Sequence, residues 1–80
     1  MTSREPVRDV EIRDTSIRLG QLLKLAGLVE LGAAAKDVLD AGEVTVNGHA
    51  EARRGRQLVD RDVVALGNDR VRVRTAEQPS

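Results

Sequence analysis

The spacing of hydrophobic residues along this 80-residue chain first predicts two short helices. One helical face is marked by apolar residues three or four positions apart, at Leu19, Leu22, Leu23 and Ala26. Gly27 follows that face as a left-handed stop. A second helix is predicted from Ala33 to Ala41, with Gly32 as its N-cap, Gly42 after its end and an apolar stripe at Ala35, Val38 and Leu39. Helices this short are unstable alone, so both need a sheet to pack on.

The hydrophobic period then shortens to two, which predicts strands. Val44–Val46 runs into Asn47-Gly48, the strongest short hairpin signal. The apolar run Val63–Leu66 and the alternating segment Arg70–Arg74 predict a second hairpin. Near the start of the chain, Val10-Glu11-Ile12 alternates as a short strand does.

The first hairpin allows two registers. A two-residue turn would place Val44 opposite Glu51 and bring a polar group onto the apolar face. A three-residue loop over 47–49 instead places Val44 opposite Ala52. Because strand register follows the apolar pattern, the sequence favours the three-residue loop.

These elements predict one α+β domain, in which two short helices pack on a small antiparallel sheet in the order β-α-α-β-β-β-β. A chain of 80 residues has the length of a single domain. We place that domain at residues 9–74. The polar ends, residues 1–8 and 75–80, are predicted to be flexible.

Composition excludes several classes of function. The chain has no Cys and no aromatic residue, so it has no thiolate metal site, no cysteine nucleophile and no side chain on which single-stranded bases could stack. His49, the only histidine, lacks a serine motif or paired carboxylates for catalysis. We therefore expect no enzymatic activity, metal, cofactor or small-molecule substrate. No apolar run spans a membrane and the first residues do not resemble a secretory signal, so a cytoplasmic protein is expected.

The charges balance, with 13 basic and 13 acidic residues, but they are unevenly distributed. Residues 52–74 hold seven arginines against three acidic residues. The segment Arg53-Arg54-Gly55-Arg56 places three guanidinium groups on one predicted loop, where they could contact successive phosphates. The alternative is a solvated basic turn that pairs with Asp60 and Asp62.

Other cations carry weaker signals. The start of the second helix, with Lys36 one turn inside, could bind an anion, as could Lys24 on the first helix, although both lysines also read as ordinary solvated residues. Arg70, Arg72 and Arg74 share the outer side of one strand. The interpretation we favour is that they protect a sheet edge from aggregation, and the sequence leaves any role of this face in binding open.

The ordered set of motifs resembles a known family. Three segments carry the resemblance: Arg18–Val29, Ala35–Leu39 and Gly42–Gly48, the last with the pattern G-x-V-x-V-N-G. Over about residues 10–74 the chain is similar to the alpha-L RNA-binding motif, the RNA-binding domain of small-subunit ribosomal protein four. The segment Glu51–Arg56 is similar to the small stand-alone bacterial members.

The resemblance implies two helices against an antiparallel sheet, and non-catalytic binding of structured RNA (ribosomal RNA or tRNA, with the ribosome as a partner) through backbone phosphates. Carried over by position, the RNA-binding residues are Arg18, Lys24, Lys36, Arg53, Arg54 and Arg56. Two positions depart from the family pattern. Many members have Ser-Arg where this chain has Leu31-Gly32, and Gly-Asp where it has Arg61-Asp62. The first departure removes one expected phosphate contact.

We also considered two other functions. Leu25, Leu28 and Val29 lie off the first apolar stripe and could form a docking surface for a ribosome-associated or RNA-processing protein. A small DNA-binding regulator is disfavoured, because the predicted second helix carries one cation and two acidic residues.

Overall fold

The computed structural model describes residues 7–75. Within that range the chain forms two helices, α1 (Leu19–Leu25) and α2 (Gly32–Asp40). The strands of the same range are β1 (Val7–Ile12), β2 (Ser16–Arg18), β3 (Val44–Val46), β4 (His49–Ala50), β5 (Gln57–Val59), β6 (Val63–Leu66) and β7 (Asp69–Thr75).

Both predicted helices are present, and their ends follow from glycine. Gly27 and Gly42, which follow the C-caps, have φ angles of +76° and +74°, a conformation that glycine adopts without steric cost. The predicted stripe of α1 is fully buried. The N-cap of α2 is Leu31, so the prediction of Gly32 was wrong by one residue. Leu31 is extended, and its carbonyl oxygen accepts the first amide hydrogen bonds of the helix.

The two helices pack on a sheet that is mixed and not purely antiparallel. Its strand order is β1-β7-β6-β3-β4, and β1 pairs parallel to β7 while the other pairs are antiparallel. The α+β architecture is confirmed, and the all-antiparallel sheet was wrong. Alternation within β1 indicates a strand, but it carries no information about the direction of a partner some sixty residues away.

The sequence missed β2 and β5, which pair antiparallel as a second small sheet. Each has three residues, too few to show alternation. Leu58 at the centre of β5 is fully buried opposite Ile17. This pair of strands brings the chain after β4 back to the start of α1.

The outer side of β7 carries the predicted row of arginines, but β7 lies between β1 and β6 and is not an edge strand. Arg72 and Arg74 face carboxylates across the sheet surface: Arg72 Nε lies 2.8 Å from Asp9, and Arg74 Nε lies 3.5 Å from Asp60. The hydrogen bond from Arg72 lowers the pKa of Asp9. The edge-protection interpretation was therefore wrong, and these two arginines are paired on the face opposite the helices.

The strands extend past the predicted domain limits. Val7 and Arg8 lie in β1, and Thr75 is a buried residue of β7. Arg8 Nη2 donates to the carbonyl oxygen of Ala26 at 2.8 Å, so it ties β1 to the end of α1, where a cation is favoured by the helix dipole. Residues 1–6 and 76–80 lie outside the described residues, and the flexible tails predicted there stay a prediction.

The predicted register of the first hairpin was wrong. Val46 pairs with His49 across a two-residue turn, and both turn residues, Asn47 and Gly48, have positive φ angles of 53° and 86°. This is the geometry of a type I′ turn, which matches the twist of the two strands. The backbone amide of Glu51 accordingly donates to the carbonyl oxygen of Val44 at 3.0 Å.

The polar group that this register brings inward is neutralised by two arginines. Glu51 is only 9% exposed, and its carboxylate accepts from Arg53 Nε at 3.1 Å and from Arg56 Nη1 at 2.9 Å. The Arg53 amide donates to the same carboxylate at 3.1 Å. Hydrogen bonds from the Arg53 side chain, the Arg56 side chain and the Arg53 amide, in that order, lower the pKa of Glu51 to about 2. The prediction from the apolar pattern was wrong because that pattern contains no information about the pairing of Glu51 with the two arginines.

The turn before β6 keeps its shape although an arginine occupies the position where many family members have glycine. The Asp62 amide donates to the Val59 carbonyl at 3.1 Å, and Arg61 has a φ angle of +80°, which is a type II turn. A second hydrogen bond closes the same turn, because the Asp62 carboxylate accepts a hydrogen bond from the Val59 amide at 2.9 Å. Arg61 is thus held in a conformation that an L-residue adopts at a cost.

Replacing Arg61 by glycine should therefore stabilise the protein. Removing the steric cost of a positive φ angle at a non-glycine residue stabilises the folded state by roughly 1–2 kcal/mol. The greater conformational freedom of glycine in the unfolded chain offsets roughly 0.5–1 kcal/mol of that stabilisation. We expect Arg61→Gly to raise the free energy of unfolding by about 0.5–1 kcal/mol in urea melts followed by circular dichroism. Arg61→Ala, which removes the same side chain but keeps the strain, should show no such gain. Equal gains in both variants would contradict this explanation.

Because two arginines lower the pKa of Glu51, the free energy of unfolding should decrease at acidic pH. Its pKa is lowered from 4.5 to about 2, so the stabilisation is complete above about pH 4.5 and is lost as the pH falls toward 2. Glu51→Gln should flatten the fall in unfolding free energy over that pH interval, as measured by urea melts at several pH values. Glu43→Gln, at an exposed position before β3, is the matched control and should retain the wild-type slope.

Candidate nucleic-acid interface

A groove of about 780 Å³ lies between α1, the start of α2 and the loop over 53–56. Three cationic side chains line it: Arg18, Lys24 and Arg54. Arg18 ends β2 and caps α1, Lys24 lies in the last turn of α1, and Arg54 comes from the loop. The remaining lining is mostly small, with Gly20, Gly32, Ala35 and Gly55 beside Gln21 and Leu25. We call this the basic groove.

The loop is held in place by the first amides of α1. The Leu19 amide donates to the Arg56 carbonyl at 2.8 Å, and the Gly20 amide donates to the Arg54 carbonyl at 2.9 Å. These amides have no partner within the helix, so the loop satisfies groups that a helix start leaves open. A side chain at Gly20 would collide with the Cγ methylene of Arg54. Glycine at this position therefore lets Arg54 lie directly against α1.

The described part of the chain does not neutralise the cations of the basic groove. Arg18, Lys24 and Arg54 are exposed, and none of them forms an ion pair with a carboxylate of residues 7–75. By contrast, Arg72 on the outer sheet face and Arg56 beside Glu51 are held by acidic partners. Unpaired guanidinium and ammonium groups around a concave surface attract phosphate.

Lys36 lies on α2 directly after Ala35, but it does not line this groove. Its Nζ forms an ion pair with Asp40 one helical turn later at 2.8 Å, and that hydrogen bond raises the pKa of Lys36. The charge of Arg54 opposes the rise in the pKa of Lys36. Both partners of the pair are more than half exposed, so the pair is weak and Lys36 can turn to another anion.

Arg53 and Arg56 have a partner that the sequence did not predict. Both bind Glu51, whereas the predicted partners contact other groups: Asp62 accepts from the Val59 amide, and Asp60 faces Arg74. Arg53 remains 76% exposed and keeps much of its guanidinium in solvent, while Arg56 is 34% exposed. The predicted alternative of pairing with Asp60 and Asp62 was wrong.

The structure thus divides the six predicted residues. It brings Arg18, Lys24 and Arg54 into one groove, leaves Lys36 outside the groove lining in an ion pair with Asp40, and commits Arg53 and Arg56 to Glu51. Sequence reasoning missed Gly20 and Gln21. A glycine within a helical stripe disfavours the helix by about 1 kcal/mol relative to alanine, so Gly20 could have been read as a site of close approach.

The predicted docking surface at Leu25, Leu28 and Val29 does not form as a whole. Val29 is buried in the core at 7% exposure and Leu28 is half-buried, which leaves only Leu25 strongly exposed at 56%. The first helix is too short to show two apolar faces, and the turn after Gly27 directs Val29 inward.

Other candidate chemistry is sparse in the described range. His49 is exposed beside the hairpin turn. Residues 7–75 contain no group of three histidine or acidic side chains placed to hold a metal ion. Neither α1 nor α2 has the length and apolar character needed to cross a membrane.

Comparison with known proteins relates this geometry to a family. The family model of the S4 domain matches residues 10–74. The chain is also 44% identical over 57 residues to the probable ribosome maturation protein RlbA of Bacillus subtilis (strain 168), a match that covers 71% of this chain and 80% of that protein.

The fold is shared with a solved structure of a larger protein. The crystal structure of the 30S ribosomal protein S4e from Thermoplasma acidophilum superposes with a TM-score of 0.57 at 22% identity. The match covers 75% of this chain and 32% of that protein, and at this identity it speaks for the fold alone. Since the family model spans most of the sequence, the chain belongs to the S4 domain family.

Proposed function

We propose that this protein binds structured RNA without catalysing a reaction, and that it holds the phosphate backbone in the basic groove. The observation that carries the proposal is the convergence of Arg18, Lys24 and Arg54, all unpaired within residues 7–75, on one concave surface. Two further exposed cations, Lys36 and Arg53, neighbour the groove-lining residues Ala35 and Arg54 along the chain. Arg56 acts mainly through Glu51, as a support for the loop.

Ribosomal RNA is the partner we favour. Membership of the S4 domain family and the relative named as a probable ribosome maturation protein support a ribosome-associated role. A protein that acts on ribosomal RNA or tRNA would work in the cytoplasm. The basic groove offers guanidinium, ammonium and amide groups, and neither a carboxylate nor a histidine lines it, which suits binding and not general acid–base chemistry.

The missing aromatic residues favour folded RNA over single strands. Sequence-specific readers of single-stranded RNA stack unpaired bases on aromatic rings, and this chain has none. Paired RNA is recognised through its shape, its phosphates and its 2′-hydroxyl groups. The balanced total charge is compatible with this mode, because Asp9 and Asp60 pair with arginines on the outer sheet face, whereas no carboxylate of residues 7–75 pairs with Arg18, Lys24 or Arg54.

The groove cations should each contribute one phosphate contact. We expect Arg18→Ala, Lys24→Ala and Arg54→Ala each to weaken binding of a fully paired RNA hairpin. Each should also reduce the slope of log affinity against log salt concentration by roughly one unit. Fluorescence anisotropy with labelled hairpin over a salt series measures both. Arg72→Ala, on the opposite face, is the control. Wild-type affinity of the triple groove variant at low salt would overturn the proposal.

Arg54 should lose its position when Gly20 acquires a side chain. Gly20→Ala leaves the charge unchanged, but its Cβ would displace Arg54 from α1. We expect a weaker affinity and a salt slope reduced as in Arg54→Ala. Gly32→Ala adds the same methyl group to the same groove, but no protein atom lies within 4 Å of it, so Arg54 stays in place and the salt slope should equal that of the wild type. An unchanged slope in Gly20→Ala would show that the loop does not depend on this contact.

A further inference from the structure

Two uncharged side chains of α1 lie beside the basic groove without a role in phosphate binding. Gln21 and Leu25 are one helical turn apart, and both are exposed. Both line the basic groove, and both also line a second groove on the other side of α1. They therefore form a ridge between the two grooves.

The two sides of this ridge differ in charge. The basic groove presents Arg18, Lys24 and Arg54. The second groove is lined by two acidic residues, Glu11 and Asp14, together with Arg13. Phosphates are attracted to the first side and find no cationic excess on the second. The ridge borders the side on which phosphates are attracted, where the riboses of a bound strand lie within one backbone unit of its phosphates.

The chemistry of the ridge fits a ribose. The Gln21 side-chain amide is both a donor and an acceptor, and it has no hydrogen-bond partner among residues 7–75. A 2′-hydroxyl group is likewise both a donor and an acceptor. Leu25, at 56% exposure, offers methyl groups that can pack on the ribose carbons. A DNA strand in the same position would leave the amide without that hydroxyl.

We propose that Gln21 and Leu25 form the ribose-contacting ridge of this protein, and that Gln21 reads the 2′-hydroxyl and so distinguishes RNA from DNA. The inference rests on the proposed function and deepens it. Gln21 is then a specificity-determining residue, whereas the groove cations supply affinity that does not depend on the sugar.

Two matched RNA probes test whether Gln21 forms a hydrogen bond with the 2′-hydroxyl group. One is a fully paired RNA hairpin, and the other is the same hairpin with 2′-fluoro sugars, which keeps the A-form and the phosphates but removes the hydroxyl donor. We expect the wild type to prefer the RNA hairpin by about threefold to tenfold, the effect of one hydrogen bond. Gln21→Ala should abolish that preference by lowering affinity for RNA alone. Its salt slope should equal that of the wild type, in contrast to Arg54→Ala.

Two further variants complete the test. Leu25→Ala should weaken binding of both hairpins alike, by about fivefold, because packing on ribose carbons does not require the hydroxyl. Gln57→Ala removes the same side chain from an exposed position that lines neither groove, and it should retain the preference. Circular dichroism checks that each variant is folded.

The outcomes separate this inference from the proposed function. Binding of neither hairpin by the wild type at low salt would overturn the proposed function. Salt-dependent binding of both hairpins with equal affinity, or an unchanged preference in Gln21→Ala, would overturn the assignment of Gln21 while leaving the groove intact.

Discussion

The docking of the loop over 53–56 on the start of α1 is the contact on which the candidate site depends. Two loop carbonyls accept hydrogen bonds from the Leu19 and Gly20 amides, and Gly20 lets the Arg54 side chain lie against the helix. The other end of the loop is fastened by Glu51, which binds Arg53 and Arg56. Without these attachments Arg54 would belong to a free loop, and the groove would lose the wall that faces α1.

The chain has no net charge, but its positive and negative side chains are paired in some regions of the fold and unpaired in others. Acidic residues meet arginines on the outer sheet face and beneath the loop, where Asp9 faces Arg72 and Glu51 faces Arg56. Among the cations of residues 7–75 that no carboxylate pairs with, Arg18, Lys24 and Arg54 are brought together by the loop and α1. An even total charge is thus compatible with a local cationic surface, because what attracts phosphate is the set of charges left unpaired and not their sum.

Local sequence signals predicted much of the fold. The helical stripe of α1 and the glycines after both helices act within a few residues, so the sequence alone indicated these elements. The parallel pairing of β1 and the pairing of β2 with β5 join distant segments, and the sequence carried no signal for either. The hairpin register failed for a related reason, since a buried Glu51 is tolerated only when two arginines beyond the hairpin reach it.

The sequence by itself determined the two helices, the hairpins, the family resemblance and the concentration of arginine in the last third of the chain. Only the tertiary structure decided which cations remain free. Arg53, Arg54 and Arg56 are equivalent in the sequence, yet two of them bind Glu51 and one enters the groove. Ion pairing depends on distances of a few ångströms between side chains from different elements, and spacing along the chain does not specify those distances.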